Sequence, residues 1–281
     1  MSENGAQREE SPEGVGLTEK ERAQADERAR PNVLVVHEII REEGERELRR
    51  PVAGLAWSAL AAGLSMGFSL VAEGVLRSRL PDAPWRPLVS KLGYTIGFVV
   101  VITGRQQLFT ENTLTPVLPL LNKPAGPTLA RLLRLWAVVL AANLAGALLF
   151  AWVAGHTGVF EADVRRTFAA LGREALAGGF GLHLLRGIFA GWLIALVVWL
   201  IPGAEQARLP IIVLLTYLVG VAGLAHVIAG SVETLYLVVT GGASWGDYLG
   251  RFLAPALLGN TLGGVTLVAA LSYGQVAPDK G

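Results

Sequence analysis

Two polar interruptions in otherwise apolar sequence decide the fold: TGRQQLFTENT at residues 103–113 and AHVIAGSVET at residues 225–234. The first lies within the apolar stretch 91–123, and the second lies within the apolar stretch 208–247. In a bilayer, backbone that leaves a helix must be buried in protein or line a wet cavity, because lipid offers it no hydrogen-bond partner. Two broken apolar segments in corresponding halves of a chain therefore predict a translocation path near the middle of the membrane.

The composition of the chain is also that of a membrane protein. Its mean hydropathy is +0.47, and 52% of its residues are hydrophobic whereas 17% are charged, with the charges concentrated in the first fifty positions. That balance is too apolar for an ordinary soluble domain. We therefore predict a charged N-terminal tail, residues 1–50, followed by a six-helix transmembrane channel domain, residues 51–281.

The tail divides again by composition. Residues 1–30 are rich in Glu, Arg, Gly and Ser, which predicts disorder. Residues 32–50 are compatible with a short amphipathic helix whose Val36, Ile39 and Ile40 contact the membrane or the channel domain, and equally with a solvated extension.

The number of spans follows from uncharged stretches of about 20 residues, the length that crosses a bilayer. Four stretches qualify, with Arg186 as their one charge: residues 52–72, 135–160, 176–204 and 252–278. Together with the two interrupted segments, they predict an all-α membrane protein with six transmembrane helices.

An internal repeat relates the two halves. Asn143 and Gly146 in the third crossing match Asn260 and Gly263 in the sixth, since both pairs read NxxG at an offset of 117 positions. Applied to Phe109, that offset reaches His226, so the two polar interruptions occupy equivalent places. Because three crossings reverse the direction of the chain, the three-plus-three repeat must be inverted across the membrane.

Basic residues flank the first span on both sides, so the positive-inside rule gives a divided answer. Arg41, Arg46, Arg49 and Arg50 precede the span and favour a cytoplasmic N-terminus, whereas Arg77, Arg79, Arg86 and Lys91 follow it. We expect a multi-pass protein of the inner cell membrane with its N-terminus in the cytoplasm.

Other classes of function find little support. A net charge of +1 does not indicate a nucleic-acid partner, and the absence of cysteine excludes disulfides and thiolate metal sites. Residues 63–67 read GxSxG, but a nucleophile elbow needs a strand-to-helix turn, and Ser65 lies in an uninterrupted apolar helix. We therefore expect no enzyme activity, no metal and no cofactor.

Ionisable residues inside apolar segments are the candidates for function, because such residues are costly in hydrocarbon unless they pair or face water. His226 lies at a helix break, where a pore role competes with simple packing. Arg105 and Glu111 form either a structural ion pair or part of the substrate path, and Glu233 follows His226 by seven positions. Arg186 either joins a polar cluster with His183 or snorkels to the membrane interface.

The motifs LFTENT at residues 108–113, AHVIAGS at residues 225–231 and LGNTLGG at residues 258–264 resemble those of the formate/nitrite transporter family. The resemblance covers residues 51 to about 275. It implies a homopentamer of aquaporin-like protomers, each with its own pore and with broken second and fifth helices. It also implies conduction of small monovalent weak-acid anions, such as formate, nitrite or short monocarboxylates, together with a proton.

Site residues follow from the same resemblance. Leu108 and Phe109 match the positions that narrow the pore, Thr110 matches the threonine that faces the central histidine, and His226 matches that histidine. The anion would gain a proton in a vestibule and cross the constriction as the neutral acid.

The chain also departs from the family. The usual vestibule lysine would fall near Ala175, where the sequence has none, and glycines stand at positions 191 and 230, where asparagine is common. Glu111 and Glu233 are added acids, and Arg186 is a candidate substitute for the lysine. Two alternatives therefore stay open: a related channel for a small neutral or cationic solute, and a non-conducting membrane scaffold.

Overall fold

A computed structural model describes residue 18, residues 31–269 and residue 274. Apart from residue 18, the tail at residues 1–30, which was predicted to be disordered, lies outside the described residues. The last residues of the predicted sixth crossing also lie outside them. The first described helix, α1 (Val33–Arg49), begins where the side chain of Asn32 accepts a hydrogen bond from the Val35 amide at 3.0 Å. Its Val36 and Ile40 are buried, whereas Ile39 faces outward.

The described chain from residue 51 onward is helical and crosses the membrane six times, which confirms the predicted fold class. The first crossing is α2 (Val52–Arg79), and the third is α6 (Gly126–His156). The broken second crossing consists of α3 (Arg86–Ser90), α4 (Thr95–Thr103) and α5 (Val117–Asn122). After the amphipathic helix α7 (Ala162–Leu176), the second half comprises α8 (Phe180–Leu200), α9 (Arg208–Val221), α10 (Val227–Val239) and a last helical run whose central part is α11 (Ala254–Leu262).

Four helical segments in the described part are long and apolar enough to cross a membrane unaided: residues 52–79, 86–103, 126–156 and 180–203. The fifth crossing is divided between α9 and α10, neither of which is long enough alone. The sixth joins α11 to π-helical segments at Asp247–Leu253 and Gly263–Ala269. Polar interruptions therefore divide the crossings where the sequence predicted them.

Two predicted helix bounds were wrong for identifiable reasons. The first crossing continues past residue 72, because Glu73 is accommodated inside the protein by Lys91 rather than ending the apolar run. The third begins at Gly126 rather than at residue 135, since Arg134 is satisfied there by the backbone carbonyls of Leu48 and Arg50.

Close helix contacts repeat in the two halves and confirm the inverted repeat. In the first half, Gly63 of α2 packs on the backbone of Asn143 in α6, and Gly146 packs on Leu60. The second half repeats both contacts between α8 and the last crossing: Gly191 on Asn260, and Gly263 on Ile188. A methyl group at any of these glycines would overlap the facing backbone, so glycine is what allows the paired crossings to approach this closely.

Candidate functional site

Each broken crossing stops at the same kind of helix end. At the end of α4, the amide of Gln106 bonds to the carbonyl of Val101 at 3.0 Å, and Arg105 has a φ of 50°. At the end of α9, the amide of Leu224 bonds to the carbonyl of Val219 at 3.0 Å, and Gly223 has a φ of 61°. Both are Schellman-type ends, in which a residue in the left-handed region reverses the chain. The first half places an arginine where the second half has glycine.

Arg105→Gly is expected to stabilise the folded protein by about 1 kcal/mol, because a side chain in the left-handed region is strained and glycine is not. The measurement is the midpoint of thermal unfolding in detergent. Arg131→Gly, within α6 at an exposed position, is the control and should have the opposite sign, since glycine weakens a helix interior by about 1 kcal/mol. A lower midpoint for Arg105→Gly would mean that the arginine side chain contributes more than its strain costs.

Two buried asparagines hold the broken segments in place. Asn143 donates to the carbonyls of Ala59 and Gln107, at 2.7 and 2.9 Å, and accepts from the amide of Phe109 at 2.9 Å. Its side chain thus satisfies the carbonyl of Gln107 and the amide of Phe109, which the helix break leaves without partners, and joins them to α2.

Asn260 makes the same three bonds in the second half. It donates to the carbonyls of Gly187 and Ala225, at 2.9 and 2.8 Å, and accepts from the amide of Val227 at 2.8 Å. These partners correct the predicted equivalence of Phe109 with His226 by one position. Val227 is the counterpart of Phe109, and His226 is the counterpart of Leu108.

His226 connects the two broken segments. Its Nδ1 accepts a hydrogen bond from the amide of Ala229 at 3.1 Å and so caps the N-terminus of α10. Because Nδ1 is an acceptor, the proton of the neutral ring lies on Nε2, which donates to Thr110 Oγ1 at 2.8 Å. The ring also packs edge-on against Phe98, with the centroids 4.8 Å apart. This geometry suits a neutral imidazole, since a second ring proton would point at the Ala229 amide.

The narrow segment from Leu108 to Thr110 is buried together with His226. Phe109 packs edge-on against Trp136, with the centroids 6.0 Å apart, and the indole of Trp136 donates to the Asn112 carbonyl at 2.8 Å. The buried segment is therefore held by aromatic packing as well as by the asparagine bonds.

A cavity of about 270 Å³, here called the α7-side cavity, reaches His226 from one end of α8. Its charged and titratable lining residues are Lys91, Glu174, His183, Arg186, His226 and Glu233, together with Tyr94. Lys91 Nζ lies 2.6 Å from the carboxylate of Glu73. Glu174 lies 2.6 Å from Arg77; partial burial opposes ionisation, but the bond from Arg77 lowers the pKa of the Glu174 carboxyl.

A second cavity of about 700 Å³, here called the α1-side cavity, lies at the other end of α8. Its charged lining residues are Glu43, Arg46, Glu47, Arg50, Arg105, Glu111, Glu205 and Arg208. Burial raises the pKa of Glu47, which lies on α1, although the neighbouring Arg50 opposes the effect. Leu108, Phe109 and Thr110 line neither of these two cavities, although their sequence neighbours Gln107 and Glu111 line the α1-side cavity and His226 lines the α7-side cavity.

The comparisons with known proteins identify the family. A family model described as Formate/nitrite transporter matches residues 35–274. The chain belongs to the formate/nitrite transporter family. "Inner membrane protein YfdC" of Escherichia coli (strain K12) is 41% identical to this transporter, over 94% of this chain and 87% of the relative. "Probable formate transporter" of Methanothermobacter thermautotrophicus is 26% identical, over 82% of this chain and 91% of the relative.

Solved structures match the fold of this formate/nitrite transporter. "Pentameric formate channel with formate bound" superposes with a TM-score of 0.70 at 22% identity, over 81% of this chain and 98% of that chain. The family membership confirms the predicted resemblance, the membrane location and the assignment to transporters rather than enzymes.

The contacts of the predicted charged residues differ in part from those expected from the sequence. Arg105 and Glu111 line the same cavity, but no ion pair joins them in the described part of the chain. Arg186 lines the α7-side cavity, and it too has no ion pair with an acid among the described residues. His183 instead bonds to the backbone, with Nε2 2.9 Å from the carbonyl of Ala175.

A lysine of this transporter reaches the α7-side cavity from a part of the sequence where none was expected. Lys91 lies in the turn between α3 and α4, and it lines the same cavity as Ala175, the position where the lysine was expected. Its partner Glu73, on α2, was not identified either. The sequence did indicate that Lys91 and Glu73 have partners or face water, because each of these charges interrupts apolar sequence.

Proposed function

We propose that this protein is a channel or transporter that moves small monovalent weak-acid anions, such as formate, nitrite or short monocarboxylates, together with a proton. The observation that carries the proposal is the pair of polar cavities separated by the buried segment from Leu108 to Thr110 at His226. An anion loses its hydration in such a segment at a large cost, whereas the neutral acid loses little. A relative named "Probable formate transporter" and a matched structure named "Pentameric formate channel with formate bound" support this substrate class.

In this proposal Arg186 attracts the anion into the α7-side cavity, since its guanidinium faces the cavity and is not paired with an acid among the described residues. The N-terminus of α10 adds partial positive charge near His226. Leu108 and Phe109 narrow the path, Thr110 and the Nε2–H of His226 offer hydrogen bonds there, and Arg105 and Glu111 line the exit through the α1-side cavity.

The assembly belongs to the same proposal. Large apolar side chains remain exposed along the outer faces of the crossings, among them Trp57, Phe68, Leu185 and Phe189. Lipid and neighbouring protomers are the partners that suit such faces. We expect a homopentamer in the inner membrane, as in the pentameric formate channel that this fold matches, with α1 on the cytoplasmic side.

One observation favours a different solute. Glu233 and Glu111 place a carboxyl group in each cavity, which would suit a small neutral or cationic solute. Flux into proteoliposomes of formate, nitrite, acetate, ammonium and glycerol separates the candidates. We expect flux of the three weak acids, increased by an inward proton gradient, and little flux of ammonium or glycerol.

Arg186→Leu should lower formate flux by about tenfold or more, because the anion loses its attracting charge, and Arg186→Lys should retain most of it. Arg173→Leu, at an exposed position on α7 outside the cavity, is the matched control. Flux of ammonium alone would favour the alternative, and no flux of any solute would favour a scaffold.

A further inference from the structure

The α7-side cavity contains an acid that the function proposed above leaves unused. Glu233 lies on α10 seven positions after His226, so that two helical turns, about 10 Å, separate them along one face. Its side chain lines the cavity although the residue is 92% buried. No hydrogen bond or ion pair joins its carboxyl group to another residue in the part of the chain that the structure describes.

Most of the other charged groups near Glu233 form ion pairs with each other. On α2, Glu73 holds Lys91, which comes from the turn before α4 and lies 2.6 Å away. On α7, Glu174 is held by two bonds from Arg77, at 2.7 and 2.6 Å. Neither of these acids is available to a solute without breaking an ion pair.

The remaining titratable groups differ in what they can offer. Tyr94 is buried at the start of α4, and His183 on α8 bonds to backbone carbonyls. His226 uses Nδ1 to cap α10 and Nε2 to bond Thr110. Arg186 on α8 is the cation on this cavity wall that no described acid neutralises, and it does not contact Glu233.

We propose that Glu233 is the group that gives a proton to the permeating anion, while Arg186 holds that anion in the α7-side cavity. The O–H bond of the neutral Glu233 carboxyl breaks as an O–H bond forms on the anion, so the neutral acid enters the constriction. Glu233 remains as a carboxylate in the cavity that Arg186 and Lys91 also line, and it recovers a proton from water there. One proton therefore moves with each anion.

Burial keeps Glu233 supplied with a proton, because an unpaired carboxylate buried in a membrane protein costs several kcal/mol and the neutral acid costs far less. The same cost opposes release of the proton, and it is offset because the permeating anion, which would lose its hydration in the buried segment from Leu108 to Thr110, leaves the cavity as a neutral acid instead. Lys91, which lines the same cavity, then faces the new Glu233 carboxylate. This inference rests on the proposed function, because it requires a weak-acid substrate.

The test is formate flux in proteoliposomes at about pH 5 and about pH 8, with wild-type protein and Glu233→Gln. At about pH 8 the solvent contains little neutral acid, so the variant should lose about tenfold or more of the wild-type flux. At about pH 5 the solvent supplies more neutral acid, and the two proteins should differ much less. Glu233→Asp keeps the carboxyl group and should recover much of the flux at the higher pH.

Glu161→Gln is the matched control, since Glu161 is an exposed acid that lines neither cavity, and this variant should keep the wild-type flux at both pH values. Equal flux of Glu233→Gln and wild type at both pH values would overturn the inference while leaving the proposed function in place. An equal loss at both pH values would also overturn it and would indicate a structural role. Absence of formate and nitrite flux in the wild type would refute the proposed function, and this inference with it.

A second measurement, made on the wild-type protein, tests the proton transfer even if Glu233→Gln does not fold. The infrared spectrum of reconstituted wild-type protein at about pH 8 should contain a protonated carboxyl band that disappears or shifts when formate is added. Glu233→Asp should move that band. A wild-type spectrum that formate leaves unchanged would contradict the proposed proton transfer.

Discussion

Asn260→Ala should prevent accumulation of folded protein, because it leaves two buried backbone groups of the broken crossing without partners. These are the carbonyl of Ala225 and the amide of Val227, whereas the carbonyl of Gly187 lies inside α8 and loses only its second hydrogen bond. Each unsatisfied buried group costs about 1 to 3 kcal/mol, so the expected loss is about 2 to 6 kcal/mol. Total stabilities of about 5 to 15 kcal/mol leave little after such a loss.

Size-exclusion chromatography and thermal unfolding of the detergent-solubilised protein measure this effect. Asn143→Ala should behave alike, because Asn143 makes the three equivalent bonds in the first half. Asn122→Ala, at a half-buried position at the end of α5, is the matched control and should change little. An Asn260→Ala protein as stable as wild type would show that water or a backbone shift replaces the lost bonds.

His226→Asn is expected to leave the protein folded while greatly changing transport. Asparagine is a good N-cap residue and can accept the bond from the Ala229 amide. Its shorter side chain cannot reproduce the bond from Nε2 to Thr110. Loss of one preorganised donor at a barrier should cost about a hundredfold in formate flux, and the dependence of flux on pH should change.

His156→Asn is the control for His226→Asn, since His156 is exposed at the end of α6 and lies outside both cavities. His226→Leu should also destabilise the protein, because leucine cannot cap α10. Unchanged formate flux from about pH 5 to about pH 8 in His226→Asn would reduce His226 to a packing residue.

The main features of the fold could be predicted because local sequence carries them. Polar interruptions mark helix breaks, and the NxxG pairs mark the close contacts of Asn143 and Asn260 with the facing helices. The amphipathic helix α7 was missed, since a search for uncharged stretches passes over it. Its buried residues Val164, Phe168 and Leu171 follow a helical period that would have revealed it.

Partners across the structure could not be predicted in the same way. Lys91 and Glu73 lie on different crossings, and nothing in local sequence indicates that the chain brings them within 2.6 Å. The exact register of the two loops also needed the structure, since the NxxG offset differs by one position from the offset of the loops. The roles of the site residues stay predictions until transport is measured.

The hydrogen bonds of the two asparagines also show that the two halves of the chain differ in length. Asn143 follows its partner Ala59 by 84 positions, whereas Asn260 follows Gly187 by 73. One of the extra residues lies after the loop, because Gln107 precedes Asn143 by 36 positions and Ala225 precedes Asn260 by 35. The others lie between Ala59 and Gln107, the part of the first half that contains the end of α2, α3 and Lys91. A pore built from two identical inverted copies would have the same entrance on both sides of the membrane. The extra residues of the first half make the two entrances different, so a solute meets a different order of charges from each side.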